Sequence, residues 1–263
     1  MLSAQDLVVS YGKLPVLNGL SVRFDAGGVT ALVGPNGCGK STLLKSILGL
    51  MPKSGGSITL DDVPIESIPR RKLASRIAYL PQENHCPDYI VLGELIELAG
   101  YARYSLFGGP RAKDRALFRD VLQTVGLADM AHVPVNSLSG GQRQRAWIAM
   151  VLAQDADIIL MDEPVNHLDM KYQYAVLDLV RTLGRDQGKT VIAVLHDLNL
   201  ASAFADKVVM VSNGQATFSG PTQEVITPEN IRTVFDFEAD VFARNGQIVC
   251  LPSRGGALQA EAQ

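Results

Sequence analysis

The apolar positions of this chain form continuous runs in some stretches and fall at helical spacing in others. Largely apolar runs occupy residues 29–33, 77–80, 157–161, 190–195 and 207–211. Runs without polar alternation are typical of parallel strands that are covered on both faces. Apolar residues at helical spacing follow the first run, over residues 42–48. The pattern therefore predicts an α/β fold with a largely parallel sheet.

Turn signals add detail at both ends of this pattern. Residues 2–60 contain short apolar stretches broken by glycines, and the stretch Ser57–Leu60 leads into the turn pair Asp61-Asp62. Asn213-Gly214 is a strong hairpin signal between the run at 207–211 and the segment Gln215–Phe218. We expect short strands at the beginning of the chain, a short basic helix over Arg70–Arg76, and a hairpin after the last apolar run.

The pattern changes between about residues 88 and 137. Apolar residues recur at helical spacing over Val91–Leu98 and again over Ala116–Val125, and Phe107–Pro110 separates the two stretches as a loop. This interruption predicts a helical subdomain, at about residues 88–137, inserted into the α/β chain.

Length and composition limit the class of protein. A chain of 263 residues with 47% hydrophobic and 19% charged residues can form one large domain with an inserted subdomain. We expect a single domain over residues 1–251 and a flexible tail over 252–263. The formal net charge of −3 and the absence of a Lys/Arg block argue against nucleic-acid binding.

Cysteine usage and hydropathy indicate a cytosolic protein. The cysteines Cys38, Cys86 and Cys250 have no metal-ligand spacing, and their odd number does not suggest a disulfide framework. The N-terminus lacks a signal-peptide pattern, and no apolar run reaches the length of a membrane span. We therefore expect any membrane association to come through a partner.

The strongest chemical signal is a phosphate-binding loop between a predicted strand and a predicted helix. The segment Gly34–Ser41 reads Gly-Pro-Asn-Gly-Cys-Gly-Lys-Ser and has the spacing G-x-x-x-x-G-K-S. Glycines let backbone N–H groups surround phosphates, Lys40 supplies positive charge, and the Ser41 hydroxyl can ligate Mg²⁺. A glycine-rich turn that binds nothing would not need this lysine and serine. The chain is predicted to bind a nucleoside triphosphate.

Polar residues at the ends of other predicted strands fit the same site. Asp162 and Glu163 end the run at 157–161, where Asp162 can hold Mg²⁺ and Glu163 can polarise a water that attacks the γ-phosphate. His196 follows the run at 190–195 and is expected near the γ-phosphate. Gln82 follows the run at 77–80 and can supply an oxygen ligand to Mg²⁺.

A second anion-binding helix end is predicted at Leu138-Ser139-Gly140-Gly141-Gln142. Ser139 is placed as the N-cap of a helix over Arg143–Ala153, and the glycines leave the helix N-terminus open. The segment can be simply a capped helix. Alternatively, it contacts the γ-phosphate of a nucleotide held by another copy of the chain.

With these residues identified, the chain resembles the nucleotide-binding subunit of an ATP-binding cassette (ABC) transporter over about residues 2–251. The resemblance matches Gly34–Ser41 to the Walker A loop, Gln82 to the Q-loop, Ser139–Gln142 to the signature, Asp162 and Glu163 to the Walker B pair, and His196 to the switch histidine. The segment Asn166–Asp169 resembles the D-loop, although Asn166 stands where serine is more usual.

The resemblance implies a P-loop NTPase core, a mixed sheet flanked by helices, with an antiparallel β subdomain and the inserted helical subdomain. It implies ATP and Mg²⁺ as ligands, with Tyr11 stacked on adenine and Val16 close by. Implied nucleotide contacts are Tyr11, Val16, Gly34, Pro35, Asn36, Gly37, Cys38, Gly39, Lys40, Ser41, Thr42, Ser139, Gly140, Gly141 and Gln142. Implied metal contacts are Ser41, Gln82 and Asp162, and implied catalytic residues are Glu163, His196 and Gln82.

A finer resemblance suggests the cargo. The stretch His196–Ala201, together with Ser105–Gly108, resembles importers of ferric siderophores, haem and cobalamin, whereas Ala99–Arg103 departs from the Gly-Arg-x-Pro often found there. We expect the ATP-hydrolysing subunit of an iron–siderophore importer. Haem or cobalamin import, or a soluble ABC ATPase such as one for iron–sulfur cluster assembly, are the alternatives.

These expectations extend to partners and location. The helical insertion should hold the signature away from its own subunit's nucleotide, so a head-to-tail homodimer would complete each site with the partner's signature. The resemblance implies integral membrane permease subunits, contacted near Gln82 and Ser105–Phe107, and indirectly a periplasmic or surface substrate-binding protein. The subunit is expected at the cytoplasmic face of the inner (cell) membrane as a peripheral protein.

Overall fold

The computed structural model describes residues 1–104, 109–166 and 168–253. In chain order the strands are β1 (Leu2–Tyr11), β2 (Leu14–Phe24), β3 (Gly28–Val33), β4 (Gly55–Leu60), β5 (Val63–Pro64), β6 (Ile77–Leu80), β7 (Ile158–Asp162), β8 (Thr190–Val194), β9 (Lys207–Ser212), β10 (Gln215–Pro221), β11 (Ala239–Arg244) and β12 (Gln247–Pro252). The helices are α1 (Lys40–Ile47), α2 (Arg70–Arg76), α3 (Leu92–Ala99), α4 (Ala112–Thr124), α5 (Gly140–Ala153), α6 (Met170–Arg185), α7 (Leu198–Phe204), α8 (Thr222–Val225) and α9 (Pro228–Phe235).

A six-stranded mixed sheet forms the centre, in the order β10-β9-β3-β8-β7-β6. Neighbouring strands are parallel except β10, which runs antiparallel to β9 after the turn at Asn213-Gly214. Strands β7 and β8 are buried along their whole length, because helices or a second sheet cover both faces. The predicted parallel sheet is confirmed: the bounds of its parallel strands lie within one residue of the predicted runs, and β10 extends three residues beyond its predicted end.

A second, antiparallel sheet covers helix α1. Its order is β2-β1-β4-β5, and Leu7, Leu20 and Phe24 from it pack with Leu43 and Leu44 of α1 in one apolar cluster that continues into the central sheet. Strands β1 and β2 have 10 and 11 residues, so the expectation of short strands broken by glycines was wrong for this pair. Strand β2 continues through Gly19, which has φ +76° and lies at a bulge in the pairing.

The other face of the central sheet is covered by helices. Helices α3 and α4 pack against α5 through apolar residues that include Leu95, Phe118, Leu122 and Ile148. The helical segment predicted between Gln82 and the signature is therefore observed. Residues 105–108 lie outside the described residues. The predicted permease contact at Ser105–Phe107 and the first part of the predicted loop at Phe107–Pro110 fall there.

The C-terminal part contains elements that the sequence patterns did not predict. Strands β11 and β12 form a hairpin with Asn245 and Gly246 at positive φ in the turn. The hairpin is fixed to α7, because the side chain of Asn199 donates to the Cys250 carbonyl at 3.1 Å and accepts from its N–H at 2.8 Å. Ser253 still bonds to the backbone of Glu238 at 3.0 Å, and residues 254–263 of the expected tail lie outside the described part.

Within residues 1–104, 109–166 and 168–253, none of the helices combines the length and the apolar character that a bilayer crossing requires.

Candidate nucleotide site

The functional candidates meet at one edge of the central sheet. Strands β3, β8, β7 and β6 are consecutive and parallel, so their carboxyl ends lie side by side. The loop at 34–39 follows β3, His196 follows β8, Asp162 and Glu163 follow or end β7, and Gln82 follows β6. The strand order thus brings together residues that are more than a hundred positions apart in the sequence.

An open cleft of about 620 Å³ lies at this edge. Its lining consists of Tyr11, Leu14, Val16, Asn36, Gly37, Gly39, Lys40, Ser41, Thr42, Gln82, Glu163 and His196. Eleven of these twelve residues were candidates from the sequence. Gly34, Pro35, Cys38, Asp162 and the segment Ser139–Gln142 do not line the cleft.

Two loop positions require glycine for space and backbone conformation. A Cβ on Gly34 would overlap the carbonyl oxygen of Val211, and Gly39 has φ +108° and lies close to the side chain of Leu17. L-residues rarely adopt this φ, so glycine allows the chain to turn sharply into α1. The tight turn places the N-terminus of α1, with its unpaired N–H groups, at the cleft.

The side chain of Lys40 folds back onto the loop. Lys40 is only 5% exposed. Its Nζ donates to the carbonyl oxygens of Gly34 and Pro35 at 2.8 Å each, and the Cys38 sulfur lies 3.7 Å away. A buried ammonium group needs such acceptors. These two carbonyls therefore hold the amine at the cleft, where a phosphate oxygen can replace them as its hydrogen-bond partner.

Ser41 and Asp162 form a pair of oxygen ligands next to the cleft. The Ser41 hydroxyl donates to Asp162 Oδ1 at 2.9 Å, and Asp162 is 1% exposed with no hydrogen-bond partner for Oδ2 within the described residues. Burial raises the pKa of the Asp162 carboxyl above its usual range. A buried carboxylate with a free oxygen beside a hydroxyl fits Mg²⁺, which prefers hard oxygen ligands.

Other side chains do not form a complete metal cage in the described part of the chain. No group of three or more His, Cys, Asp and Glu residues is arranged there to hold a metal ion. This matches the usual mode of Mg²⁺ binding, in which one or two carboxylates share the ion with water and substrate phosphates.

Glu163 points away from Asp162 and is held by three side chains. It has φ +56°, a left-handed conformation that non-glycine residues adopt rarely and that recurs at functional sites. Its Oε2 accepts from Gln82 Nε2 at 2.8 Å and is also contacted by the Asn166 amide, while Oε1 lies 2.6 Å from His196 Nε2. The carboxylate is largely buried and lines the cleft. It is therefore placed to accept a proton from a water molecule in the cleft.

Gln82 was predicted as a metal ligand, and in this structure its amide nitrogen donates to Glu163. The amide oxygen is not used in that bond. The metal-binding role of Gln82 thus stays a prediction.

The segment Ser139–Gln142 forms the predicted cap of α5. The Ser139 hydroxyl accepts from the Gln142 N–H at 3.4 Å, and the Gln142 side chain accepts from the Ser139 N–H at 2.9 Å. This reciprocal capping box orders the helix start. Ser139 and Gly140 are exposed and lie outside the cleft of the same chain.

Two residues near the cleft were missed as functional candidates. Leu14 lies beside Tyr11 and is 67% exposed, while Tyr11 is 48% exposed. Exposed large apolar side chains at a cleft suggest a binding surface, although sequence alone gives no exposure. Asn166 was noted only as a departure from the D-loop, and its contact with Glu163 could not be read from the sequence.

Comparison with protein families gives one match that covers more than half of the chain. The family model described as "ABC transporter" matches residues 17–166. The matched region extends from strand β2 through the phosphate loop, the signature and the acidic end of β7.

Relatives that align over most of their length are named as import or transport ATP-binding proteins. The chain is 36% identical to the iron(3+)-hydroxamate import ATP-binding protein FhuC of Bacillus subtilis, covering 95% of this chain and 94% of that protein. It is 39% identical to the ferric enterobactin transport ATP-binding protein FepC of Escherichia coli, covering 89% and 86%. It is 38% identical to the hemin import ATP-binding protein HmuV of Streptomyces coelicolor, covering 96% and 90%.

Solved structures agree in fold. A metal-chelate-type ABC transporter in an inward-facing conformation matches with a TM-score of 0.80 at 27% identity, covering 95% of this chain and 97% of that one. A dimeric ATP-binding cassette in a post-hydrolysis state with ADP and phosphate matches with a TM-score of 0.76 at 27% identity, covering 84% and 99%. With the family match and the long alignments, these findings show that the chain belongs to the ABC transporter family, as an ATP-binding cassette.

Proposed function

We propose that this protein is the ATP-hydrolysing subunit of an importer that moves an iron–siderophore complex through a membrane permease. The observation that carries the ATPase part is the cleft in which Lys40, Ser41 and Glu163 converge. The import part rests on relatives named for hydroxamate and enterobactin uptake, which align over most of both chains.

ATP would bind with its phosphates in the loop at 34–39. The Lys40 amine would leave the carbonyls of Gly34 and Pro35 and pair with phosphate oxygens. The exposed ring of Tyr11, flanked by Leu14 and Val16, offers an apolar surface for the adenine ring.

Mg²⁺ bound with ATP would be held by Ser41 and Asp162, with Gln82 as a further oxygen ligand. It would neutralise charge on the β- and γ-phosphates. The buried, unpaired Oδ2 of Asp162 supports this assignment.

Hydrolysis would begin with a water placed between Glu163 and the γ-phosphate. As the water oxygen bonds to phosphorus, Glu163 accepts its proton, the bond between the γ-phosphorus and the bridging oxygen breaks, and ADP leaves. His196 would sense the γ-phosphate through its contact with Glu163, which lies 2.6 Å away.

The functional assembly would be a homodimer. The capped start of α5 at Ser139–Gln142 does not line its own cleft, and the N–H groups of its first turn suit the γ-phosphate of a partner subunit. The dimeric cassette with ADP and phosphate is a structural precedent within the fold.

Residues 1–251 would form one ATPase domain at the cytoplasmic face of the cell membrane, bound peripherally to the permease near Gln82 and Ser105–Phe107. Of this contact, residues 105–107 lie outside the described part of the chain. A substrate-binding protein would deliver cargo to the permease without touching this subunit, and no nucleic acid would take part.

The test is to purify the tagged protein from detergent-solubilised membranes and to identify what accompanies it. A multi-span membrane protein should copurify, and the pair in vesicles should take up a ferric hydroxamate or catecholate complex at the expense of ATP. The same complex with Lys40→Ala is the matched control. Uptake of haem instead would favour the alternative suggested by the hemin relative, and uptake of cobalamin would favour that cargo. Purification without any membrane protein would favour a soluble ATPase.

A further inference from the structure

Tyr79 and Asp162 lie on the same face of two neighbouring strands. Tyr79 of β6 is paired in register with Leu160 of β7, and Asp162 comes two residues later on β7. Side chains alternate along a strand, so Tyr79, Leu160 and Asp162 all point to the side of the sheet that α1 covers. The diagonal neighbour across such a pair is within reach of an aromatic side chain.

Both side chains end in a buried polar atom that lacks a partner. In the ranges 1–104, 109–166 and 168–253, the Tyr79 hydroxyl oxygen and Asp162 Oδ2 are both buried without a hydrogen bond, whereas Asp162 Oδ1 accepts from Ser41. Nearly all buried polar atoms in folded proteins are paired. The Tyr79 hydroxyl and Asp162 Oδ2 are therefore a donor and an acceptor that lie unpaired on one sheet face, within reach of each other.

The chemical character of the two groups fits a hydrogen bond between them. A phenolic hydroxyl is protonated at neutral pH, so the Tyr79 side chain can donate a hydrogen bond. Asp162 already uses one oxygen for Ser41, and each carboxylate oxygen has about two acceptor positions, so Oδ2 can accept from Tyr79 and keep a position for the cation.

We propose that Tyr79 is a positioning residue for the metal site: its hydroxyl donates a hydrogen bond to Asp162 Oδ2 and so orients the carboxylate toward the Mg²⁺ that accompanies ATP. This inference rests on the proposed function, because it presumes that Asp162 holds the cation. Tyr79 itself touches neither nucleotide nor metal. Groups that orient metal ligands in this way typically change metal affinity by about 10- to 100-fold when they are removed.

The experiment measures how much the cation contributes to nucleotide binding. The affinity for a non-hydrolysable ATP analogue is determined by calorimetry twice, once in EDTA and once with saturating Mn²⁺. The readout is the dissociation constant in EDTA divided by the dissociation constant with Mn²⁺, a ratio that grows with the contribution of the cation. Tyr79→Phe removes only the hydroxyl, and we expect it to leave the affinity in EDTA unchanged while it reduces the ratio about tenfold. Tyr174→Phe is the matched control, since Tyr174 is an exposed residue of α6 away from the cleft, and its ratio should equal the parental one.

A double-mutant cycle separates positioning from general packing. In an Asp162→Asn background, the further change Tyr79→Phe should not lower the ratio again, because the carboxylate through which it acts is gone. A ratio for Tyr79→Phe within twofold of the parent, an equal loss of affinity in EDTA, or a further drop in the Asp162→Asn background would overturn the inference. If the nucleotide affinity of the parent did not depend on Mn²⁺, or if Asp162→Asn left the ratio unchanged, the proposed metal site would be disproved. The role of Tyr79 would then be disproved with it.

Discussion

His196 Nε2 lies 2.6 Å from Glu163 Oε1, although the two residues come from the ends of different strands. Gln82 and Asn166 occupy the other oxygen of the same carboxylate. Gln82, Asn166 and His196 thus use three of the about four acceptor positions of the Glu163 carboxylate, which leaves room for a water molecule to donate to the same group.

Glu163→Gln should bind ATP with near-parental affinity and hydrolyse it about 10²–10⁴ times more slowly, because the amide has the same shape but is a far weaker base. Phosphate release and equilibrium binding of a fluorescent ATP analogue measure the two effects separately. Glu224→Gln, in the short helix α8, is the matched control and should behave as the parent. Parental turnover in Glu163→Gln would rule out its assignment as the general base.

Asn166→Ala should reduce kcat about tenfold with little change in KM. The variant removes a hydrogen bond to a charged carboxylate, and such bonds contribute about 1.5–3 kcal/mol. The side chain contacts Glu163 but does not line the cleft, so nucleotide binding should be retained. Steady-state ATPase kinetics give both parameters. A raised kcat would indicate instead that Asn166 restrains the carboxylate in the resting state.

Lys40→Ala should weaken ATP binding by about 10- to 100-fold, as expected for the loss of a charge-assisted contact to phosphate. Lys72→Ala, which removes an exposed lysine of α2, is the control and should bind normally. Calorimetry with ATP and Mg²⁺ checks both. Unchanged affinity in Lys40→Ala would mean that the amine remains on the Gly34 and Pro35 carbonyls when nucleotide is bound.

Asp162→Asn should stabilise the protein in the absence of Mg²⁺ and nucleotide, in a pH-dependent way. The pKa of Asp162 is raised by burial, so the folded state binds its proton more tightly than the unfolded chain does. Ionised Asp162 thus destabilises the fold above the unfolded pKa, near 3.9, and this effect disappears as the pH falls below that value. Urea unfolding in EDTA should give a higher midpoint for Asp162→Asn at pH 7, with the gain shrinking toward pH 4. A constant gain across this range would show that ionisation of Asp162 is not its cause.

ATP should dimerise the Glu163→Gln protein, because bound nucleotide would join each phosphate loop to the partner's capped α5. Light scattering with and without ATP measures the mass. Mixed dimers of Ser139→Arg and Lys40→Ala subunits should retain one intact composite site, whereas each variant alone should have none. A strictly monomeric Glu163→Gln protein, with ATP and with its permease, would exclude a shared site.

The residues at the sheet edge could be predicted from the sequence, because short segments of the chain determine which residues lie there. The apolar runs identify the strands, and the polar residues that follow them, such as Gln82, Asp162 and His196, must lie together if those strands are parallel neighbours. The phosphate loop adds a fixed spacing, and its first glycine is explained by the close approach of Gly34 to Val211. Such features depend on short segments and strand polarity, both of which can be read along the chain.

The parts that sequence reasoning missed depend on contacts between distant segments. The hairpin of β11 and β12 is held by Asn199 of α7, some fifty residues away. Asn166 contacts Glu163 next to a left-handed backbone conformation at Glu163. Glutamate rarely adopts this conformation, so the sequence gives no sign of it. The long β2 continues through Gly19 because a bulge accommodates the glycine in the sheet, and a bulge has no reliable signature in a single sequence.

The central position of β3 has a consequence for synthesis of the chain. This strand, which leads into the phosphate loop, is bordered on one side by β8 and on the other by β9, and both are translated long after it. At about 5–20 residues per second, roughly ten to thirty seconds separate β3 from its last neighbour. During that interval the growing polypeptide carries an apolar strand with two open edges, and the phosphate loop lacks the neighbouring strand ends that complete the cleft.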